Sequence, residues 1–229
     1  GVFVNGTIFL GILIFSTYKI CKKITNDKKT GILAIFIVTS YPLVFTHSRT
    51  FELDLPLTSI VALSVYLLLF TDYFSNRKYS VLFGVVSGLG MLTKFNFSGF
   101  LAAPFLFTCF KGQKRKWANI LISLSIIFIL SIKFYILKAQ EVLHRIYATS
   151  WVYIATYYNQ SQKLAGDWLK TCIEYFSWLI EDIINNSVTF LFTAIFLIAL
   201  IPFTKSRTKD KAILYLWLLT PVLFLSFFF

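Results

Sequence analysis

Long apolar runs separated by short clusters of charged residues dominate this chain, and they constrain its fold more than any other feature. Hydrophobic residues make up 57% of its 229 residues. A soluble domain of this size could not bury so much apolar surface, so most of the chain must lie in lipid, where the backbone of each run has to satisfy its own hydrogen bonds. The pattern therefore predicts an all-α, polytopic integral membrane protein.

The basic residues indicate orientation rather than nucleic-acid binding. The formal net charge is +12, but the Lys and Arg residues are gathered in short clusters between the apolar runs, which is typical of cytoplasmic loops. The cluster after the first run places that end in the cytoplasm, and the later runs alternate in direction. We therefore expect a multi-pass protein of the plasma (inner) membrane, which contacts membrane lipid and binds no nucleic acid.

The apolar runs predict one truncated membrane domain with three parts. Residues 1–137 are expected to form membrane helices, one of them over residues 30–47. Residues 138–187 carry both acidic and basic side chains, and their apolar residues recur at helical spacing, which predicts an extracytoplasmic loop with amphipathic helices at the membrane surface. Residues 188–229 are expected to form two further membrane helices. Because the chain starts and ends within apolar runs, we expect it to be an internal piece of a longer protein.

Residues 81–110 decide the topology. Their apolar run is too long for one comfortable span and too short for two complete spans. A hairpin of two short helices places more of the basic residues in the cytoplasm than a single crossing does, as the positive-inside rule requires. We therefore predict a short-helix hairpin over 81–110 with its tip near Lys94. Gly84 and Gly88 are spaced as GxxxG, which predicts close packing against a neighbouring helix.

A charged stretch from His47 to Pro56 interrupts two apolar runs at the predicted extracytoplasmic face. Ionisable groups at such a place are candidates for function, because a charge in the membrane is costly. Asp54, with Glu52 beside it, is the candidate catalytic carboxylate, and Arg49 is a candidate substrate-binding cation. A structural interpretation stays open, in which Arg49 pairs with one of the two acidic residues and Asp54 caps the next helix.

Lys94 and the aromatic loop supply the other candidate site residues. Lys94 is expected in the outer half of the membrane, where it either extends its amine to the interface or binds an anion. Tyr157, in a part of the loop that is rich in Tyr and Trp, is a candidate for substrate binding. The three cysteines and two histidines show no metal-ligand spacing, so we expect no metal ligands among them.

Two motifs together resemble a known family of membrane enzymes. The first is Arg49–Leu57 (RTFELDLPL), and the second is Ser87–Lys94 (SGLGMLTK). In this order they resemble the core of the polyprenyl-phosphate-dependent membrane glycosyltransferases of the GT-C class, which include the protein O-mannosyltransferases and the aminoarabinose transferase of lipid A. The resemblance covers residues 1–110 well and the remainder by topology.

The resemblance implies a GT-C-like helical bundle that transfers a hexosyl or pentosyl group with inversion. The sugar would come from a polyprenyl-phosphate donor at the outer face of the membrane and pass to a protein, lipid or glycan acceptor. Asp54 would match the acidic residue of the second extracytoplasmic loop, and Lys94 the lysine of a Leu-Thr-Lys motif. The family's main catalytic acid lies in an earlier loop that would precede Gly1. Asp54 and Glu52 are therefore expected to support the reaction, and the fragment alone is expected to be inactive.

Two other functions fit the same residues. A transporter or flippase of a lipid-linked saccharide would use the same phosphate-binding cation and the same broken helices, and it would also be expected to show inverted repeats. A membrane-embedded assembly subunit would use its charges only to set topology. The cofactor stays open at this point, since the candidate carboxylates are compatible with a divalent metal.

Overall fold

A computed structural model describes residues 2–50, 52–94, 96–111 and 116–141, together with four isolated residues, which are His144, Ser177, Ile213 and Leu214. Every regular element in this part of the chain is a helix, which confirms the predicted all-α class. The helices are α1 (Val2–Thr25), α2 (Lys28–Thr39), α3 (Pro42–His47), α4 (Asp54–Phe70), α5 (Arg77–Thr93), α6 (Phe97–Phe110) and α7 (Trp117–Leu137). Tyr157 lies outside the described residues, as do nearly all of the predicted loop and the two predicted later helices.

A two-residue turn folds α2 back along α1. Asn26 has a positive φ of 54°, a conformation that asparagine adopts more readily than most residues. Asp27 caps α2 by accepting hydrogen bonds from two backbone N–H groups in its first turn. The hydrogen bond from the Thr30 hydroxyl group and these two backbone hydrogen bonds lower the pKa of Asp27. Gly31 then faces the ring of Tyr18, which lets the two helices approach closely.

The prediction of one continuous helix over residues 30–47 is wrong. α2 ends at Thr39 and α3 begins at Pro42. Proline lacks an N–H and disfavours helical backbone in the residue before it, and Tyr41 is accordingly extended, with φ −68° and ψ 124°. α2 has 12 residues, which corresponds to roughly 18 Å of helix and is too short to cross a membrane.

α4 is the central helix of the compact unit that contains residues 1–134. It contacts α1, α3, α5 and α6, and most of its side chains are buried. This agrees with its sequence, because a helix that is apolar on all sides has no polar face to expose. Asp54 is its first residue. The packing of α4 therefore fixes the position of this carboxylate.

The turn from α4 into α5 has three consecutive residues in the left-handed conformation, which are Asp72, Tyr73 and Phe74. Side chains disfavour this conformation. The turn is closed by a backbone hydrogen bond of 2.9 Å from Asn76 to Thr71. It buries Phe74 completely, with its ring 6.0 Å from that of Phe83 and 5.8 Å from that of Phe105. The buried aromatic contacts compensate for the strained backbone.

α5 and α6 are antiparallel neighbours within the apolar region 81–110. α5 ends at Thr93 and α6 begins at Phe97. Gly90, near the end of α5, faces the Phe97 ring, and Phe83 stacks on Phe105 with ring centroids 5.9 Å apart. The side of the membrane that each end faces stays a prediction.

The packing predicted for the GxxxG pair is confirmed. A Cβ atom added at Gly84 would lie 2.9 Å from the backbone oxygen of Ser123, and one added at Gly88 would lie 2.8 Å from the side chain of Leu130. Both contacts are on α7. Small residues at these two positions let α5 and α7 approach closely, as small-xxx-small motifs do in membrane helix pairs.

Two side chains of α7 donate hydrogen bonds to main-chain carbonyls. Asn119 Nδ2 donates to the oxygen of Phe74 at 2.7 Å, and Ser123 Oγ donates to the oxygen of Ser80 at 2.8 Å. The first acceptor lies in the turn before α5 and the second in the first turn of α5. These bonds fix the rotation of α7 about its own axis.

Two helices in the described part are long and apolar enough to cross a membrane, namely Val4–Thr25 and Trp117–Leu137. α4 and α6 are apolar but shorter. Large apolar side chains remain exposed on α1, α2 and α7, with Phe36 of α2 exposed to 69%. Such surfaces favour lipid over water as the surrounding solvent.

Candidate active site

An ion pair joins two predicted site residues that are far apart in sequence. Lys94 Nζ donates a hydrogen bond of 2.9 Å to Asp54 Oδ1. Asp54 begins α4, and Lys94 is the C-cap of α5, where the backbone turns extended, with φ −156° and ψ 137°. The contact between α4 and α5 therefore brings the two predicted residues together.

The pair is accessible and easily opened. The Lys94 side chain is 38% exposed and the Asp54 side chain is 50% exposed. Ion pairs with this exposure contribute only about 0–1 kcal/mol to stability. A ligand with its own negative charge can therefore replace Asp54 as the partner of Lys94 at little cost, and Asp54 keeps a second oxygen for another contact.

Glu52 contacts His47 rather than Arg49. Its Oε2 touches Nδ1 of His47, the last residue of α3. This Nδ1 atom is buried and has no hydrogen-bond partner among the described residues. The contact becomes an ion pair when the imidazole is protonated.

Arg49 lies beside a cavity of about 350 Å³. Its guanidinium group sits over the ring of Phe45, 4.1 Å from the centroid. The cavity is lined by Gly6, Thr7, Leu10, Ser48 and Arg49. A guanidinium on an aromatic face keeps its edge N–H groups available for an anion.

The structural interpretation of the charged stretch is wrong in both of its parts. Within the described residues Arg49 pairs with neither Glu52 nor Asp54, because those two carboxylates lie against His47 and Lys94. Asp54 does not cap α4 either. The N-cap is Leu53, without a side-chain hydrogen bond.

The sequence did not single out two polar residues of the segments that carry the pair. The two histidines have no ligand spacing to each other, so the sequence predicts no role for His47, yet it lies five residues before Glu52 across a helix break. Asn96 precedes α6, and its buried Oδ1 has no hydrogen-bond partner in the described part of the chain. The signal for His47 was its place within the charged stretch, and the signal for Asn96 was its place at the predicted hairpin tip.

Residues 1–137 match the dolichyl-phosphate-mannose-protein mannosyltransferase family. The chain belongs to this family. The match includes both motifs that resemble the GT-C glycosyltransferases, so the resemblance is confirmed. Membership implies a membrane-embedded glycosyltransferase that depends on a polyprenyl-phosphate-linked sugar and an acceptor. No curated protein and no solved structure matches the chain.

Family membership makes the Lys94–Asp54 contact a candidate for the substrate site. Both residues lie within the matched range. The phosphate of a polyprenyl-phosphate donor is a ligand of opposite charge for a cation, and a hydroxyl group can donate a hydrogen bond to a carboxylate. The pair thus places a cation and a carboxylate side by side within the matched range.

Proposed function

We propose that the protein transfers a sugar from a polyprenyl-phosphate donor to an acceptor at the outer face of the membrane, with Lys94 and Asp54 in its reaction site. The observation that carries this proposal is the 2.9 Å contact between the two side chains in a chain of this family. A mannosyl donor of the kind named in the family's description is the first candidate. The acceptor class, whether protein, lipid or glycan, is left to experiment.

The transfer step needs a base and a leaving-group partner. The nucleophilic oxygen of the acceptor attacks the anomeric carbon of the sugar, the bond from that carbon to the phosphate oxygen breaks, and polyprenyl phosphate leaves with the bonding electrons. The proton of the nucleophile passes to a carboxylate. Lys94 stabilises the charge on the leaving phosphate, and Asp54 orients the attacking group beside the main base.

Lys94 is proposed to exchange partners when the donor binds. In the free protein its charge is balanced by Asp54. The donor phosphodiester carries one negative charge, as a carboxylate does, so it competes with Asp54 for the amine, and its charge grows as polyprenyl phosphate leaves. When the amine moves to the phosphate, an Asp54 oxygen can accept a hydrogen bond from the acceptor. The low cost of opening this exposed pair makes the exchange feasible.

Arg49 and Glu52 are proposed to assist on the neighbouring linker. Arg49 borders the cavity of about 350 Å³, where its N–H groups suit a second contact with phosphate or sugar oxygens. Glu52 is proposed to support the reaction through its contact with His47. Tyr157 stays a proposed substrate-binding residue on the strength of the sequence alone.

Removal of the Lys94 charge tests the proposal. We expect Lys94→Met in the complete protein to raise the KM for the polyprenyl-phosphate sugar by roughly tenfold or more, because a charge-assisted contact to the phosphate is lost. Methionine keeps the apolar stem of the side chain, so the fold should be retained. Initial rates at varied donor concentration measure the effect.

Lys138→Met is a matched control for this experiment. Lys138 also pairs with a carboxylate, that of Glu141 at 2.5 Å, and it is exposed to a similar extent. Its loss should leave the donor KM unchanged. Equal donor KM values for the wild-type protein and Lys94→Met would remove Lys94 from the donor site and contradict the proposal.

We also propose the multi-pass topology with a hairpin, in which residues on both sides of 81–110 face the cytoplasm. Single cysteines placed at Lys78 and Gln113, in a protein without its native cysteines, test this arrangement. Both should react with an impermeant thiol reagent only from the cytoplasmic side of sealed vesicles, as the positive-inside rule requires. Reaction of the two sites from opposite sides would replace the hairpin by a single crossing.

A further inference from the structure

We propose that His47, Glu52 and Asp54 form a binding site for one divalent transition-metal cation of the Zn²⁺ or Mn²⁺ class. Each residue offers one ligand atom, and the three atoms lie within 4.8 Å of one another. This is the one group of three or more His, Cys, Asp or Glu side chains that converges in this way in the described part of the chain. The proposal concerns binding alone and does not depend on sugar transfer.

The contact between His47 and Glu52 favours a cation at this place. The buried Nδ1 atom of His47 has no hydrogen-bond partner among the described residues, although a Glu52 oxygen touches it. Without a proton on Nδ1, its lone pair and the carboxylate oxygen repel each other, so the contact requires either a proton or a metal ion between the two atoms. A metal ion would accept electron pairs from both atoms and so remove this repulsion.

Two of the three proposed ligands are held by helices, and the third lies on the exposed linker between these helices. His47 ends α3, Asp54 begins α4, and these two helices are in contact. Glu52 lies on the linker between them with its side chain 46% exposed. Ligand atoms around a tetrahedral Zn²⁺ lie roughly 3.4 Å apart, so the most distant ligand atoms must approach, and the touching His47 and Glu52 atoms must separate, each by on the order of 1 Å. Rotation of the exposed Glu52 side chain can supply most of that movement.

The ligand types select the class of metal. An imidazole nitrogen with two carboxylates suits Zn²⁺ or Mn²⁺, whereas Ca²⁺ and Mg²⁺ prefer oxygen ligands alone. Three protein ligands also leave a coordination position for an oxygen from water or a phosphate group.

Lys94 opposes metal binding at the same carboxylate. Its amine lies 2.9 Å from Asp54 Oδ1, so its positive charge repels a cation bound to the other Asp54 oxygen. The metal and Lys94 therefore compete for Asp54. Removal of the Lys94 charge should therefore strengthen metal binding at this site. An adventitious metal on surface carboxylates would not respond to that change.

Direct binding to the complete, metal-free protein in detergent tests the proposal. In titrations with Zn²⁺ followed by calorimetry, we expect His47→Gln and Glu52→Gln each to weaken one binding event by roughly tenfold or more. His144→Gln and Glu141→Gln are the matched controls and should leave it unchanged. Lys94→Met should tighten it. Equal affinity and stoichiometry in the wild-type protein and His47→Gln would overturn the proposal.

A second measurement uses only the wild-type protein, so its result does not depend on whether a variant folds. Pulsed electron paramagnetic resonance of Mn²⁺ bound to the wild-type protein should show magnetic coupling to a ligand nitrogen, because one of the three proposed ligands is an imidazole. Bound Mn²⁺ without nitrogen coupling would place the ion on carboxylates elsewhere and would also overturn the proposal.

Discussion

Asp54→Asn in the complete protein should lower turnover by roughly 10²-fold or more, the scale that lost acid–base or positioning groups typically show. The amide oxygen can still accept a hydrogen bond from Lys94, which pairs with Asp54 at 2.9 Å. It carries no negative charge, however, and accepts a weaker hydrogen bond from the acceptor hydroxyl group that Asp54 is proposed to orient. The effect should therefore fall mainly on kcat, measured with a polyprenyl-phosphate sugar and saturating acceptor.

The fold should tolerate this change. The Asp54 side chain is half exposed, and it makes no capping hydrogen bond to α4. Expression and membrane insertion should match those of the wild-type protein, and Glu141→Gln, which removes the carboxylate of the exposed Lys138 pair, should keep normal turnover. Near-normal kcat for Asp54→Asn would show that the Lys94–Asp54 pair serves structure alone.

Gly6→Ala should destabilise the protein much more than the same change at Gly11. A Cβ atom at Gly6 would lie 2.1 Å from the backbone oxygen of Ser48, whereas one at Gly11 would have nothing within 4 Å. Overpacking against main chain typically costs on the order of 1–3 kcal/mol. Since alanine is the better helix former, Gly11→Ala should be neutral or stabilising by up to about 1 kcal/mol.

Thermal unfolding in detergent measures the difference between these two variants. Both glycines lie on α1, so the comparison removes the effect of helix propensity. Gly6→Ala should also impair donor binding, because the displaced Ser48 precedes Arg49 at the edge of the cavity. If the two variants have the same unfolding midpoint, α1 does not pack against the Ser48 backbone as described.

The sequence could predict what depends on composition and local periodicity. The all-helical class follows from apolar runs that must satisfy their own backbone, and close packing at Gly84 and Gly88 follows from their spacing. The break before Pro42 could have been predicted in the same way, since proline disfavours helix in the residue before it. The length of the apolar run outweighed that local signal.

The partners of the charged residues could not be predicted from local spacing. Arg49, Glu52 and Asp54 lie close in sequence, which suggested that they pair with one another. Asp54 instead pairs with Lys94, and this contact requires α4 to pack along α5. Glu52 meets His47 because the chain breaks between α3 and α4 and folds the linker back. Both contacts are consequences of tertiary packing.

Hydrogen bonds join α7 to α5 and to the turn before α5. The two sides of this interface should differ in their tolerance of mutation. The donors are the side chains of Asn119 and Ser123, but both acceptors are main-chain carbonyls, those of Phe74 and Ser80. Substitution can delete either donor, whereas no exchange of side chain removes the acceptor atoms. This interaction should therefore restrict genetic variation at the two α7 positions. At the two acceptor positions, a change of side chain leaves the hydrogen bonds intact as long as the backbone keeps its course.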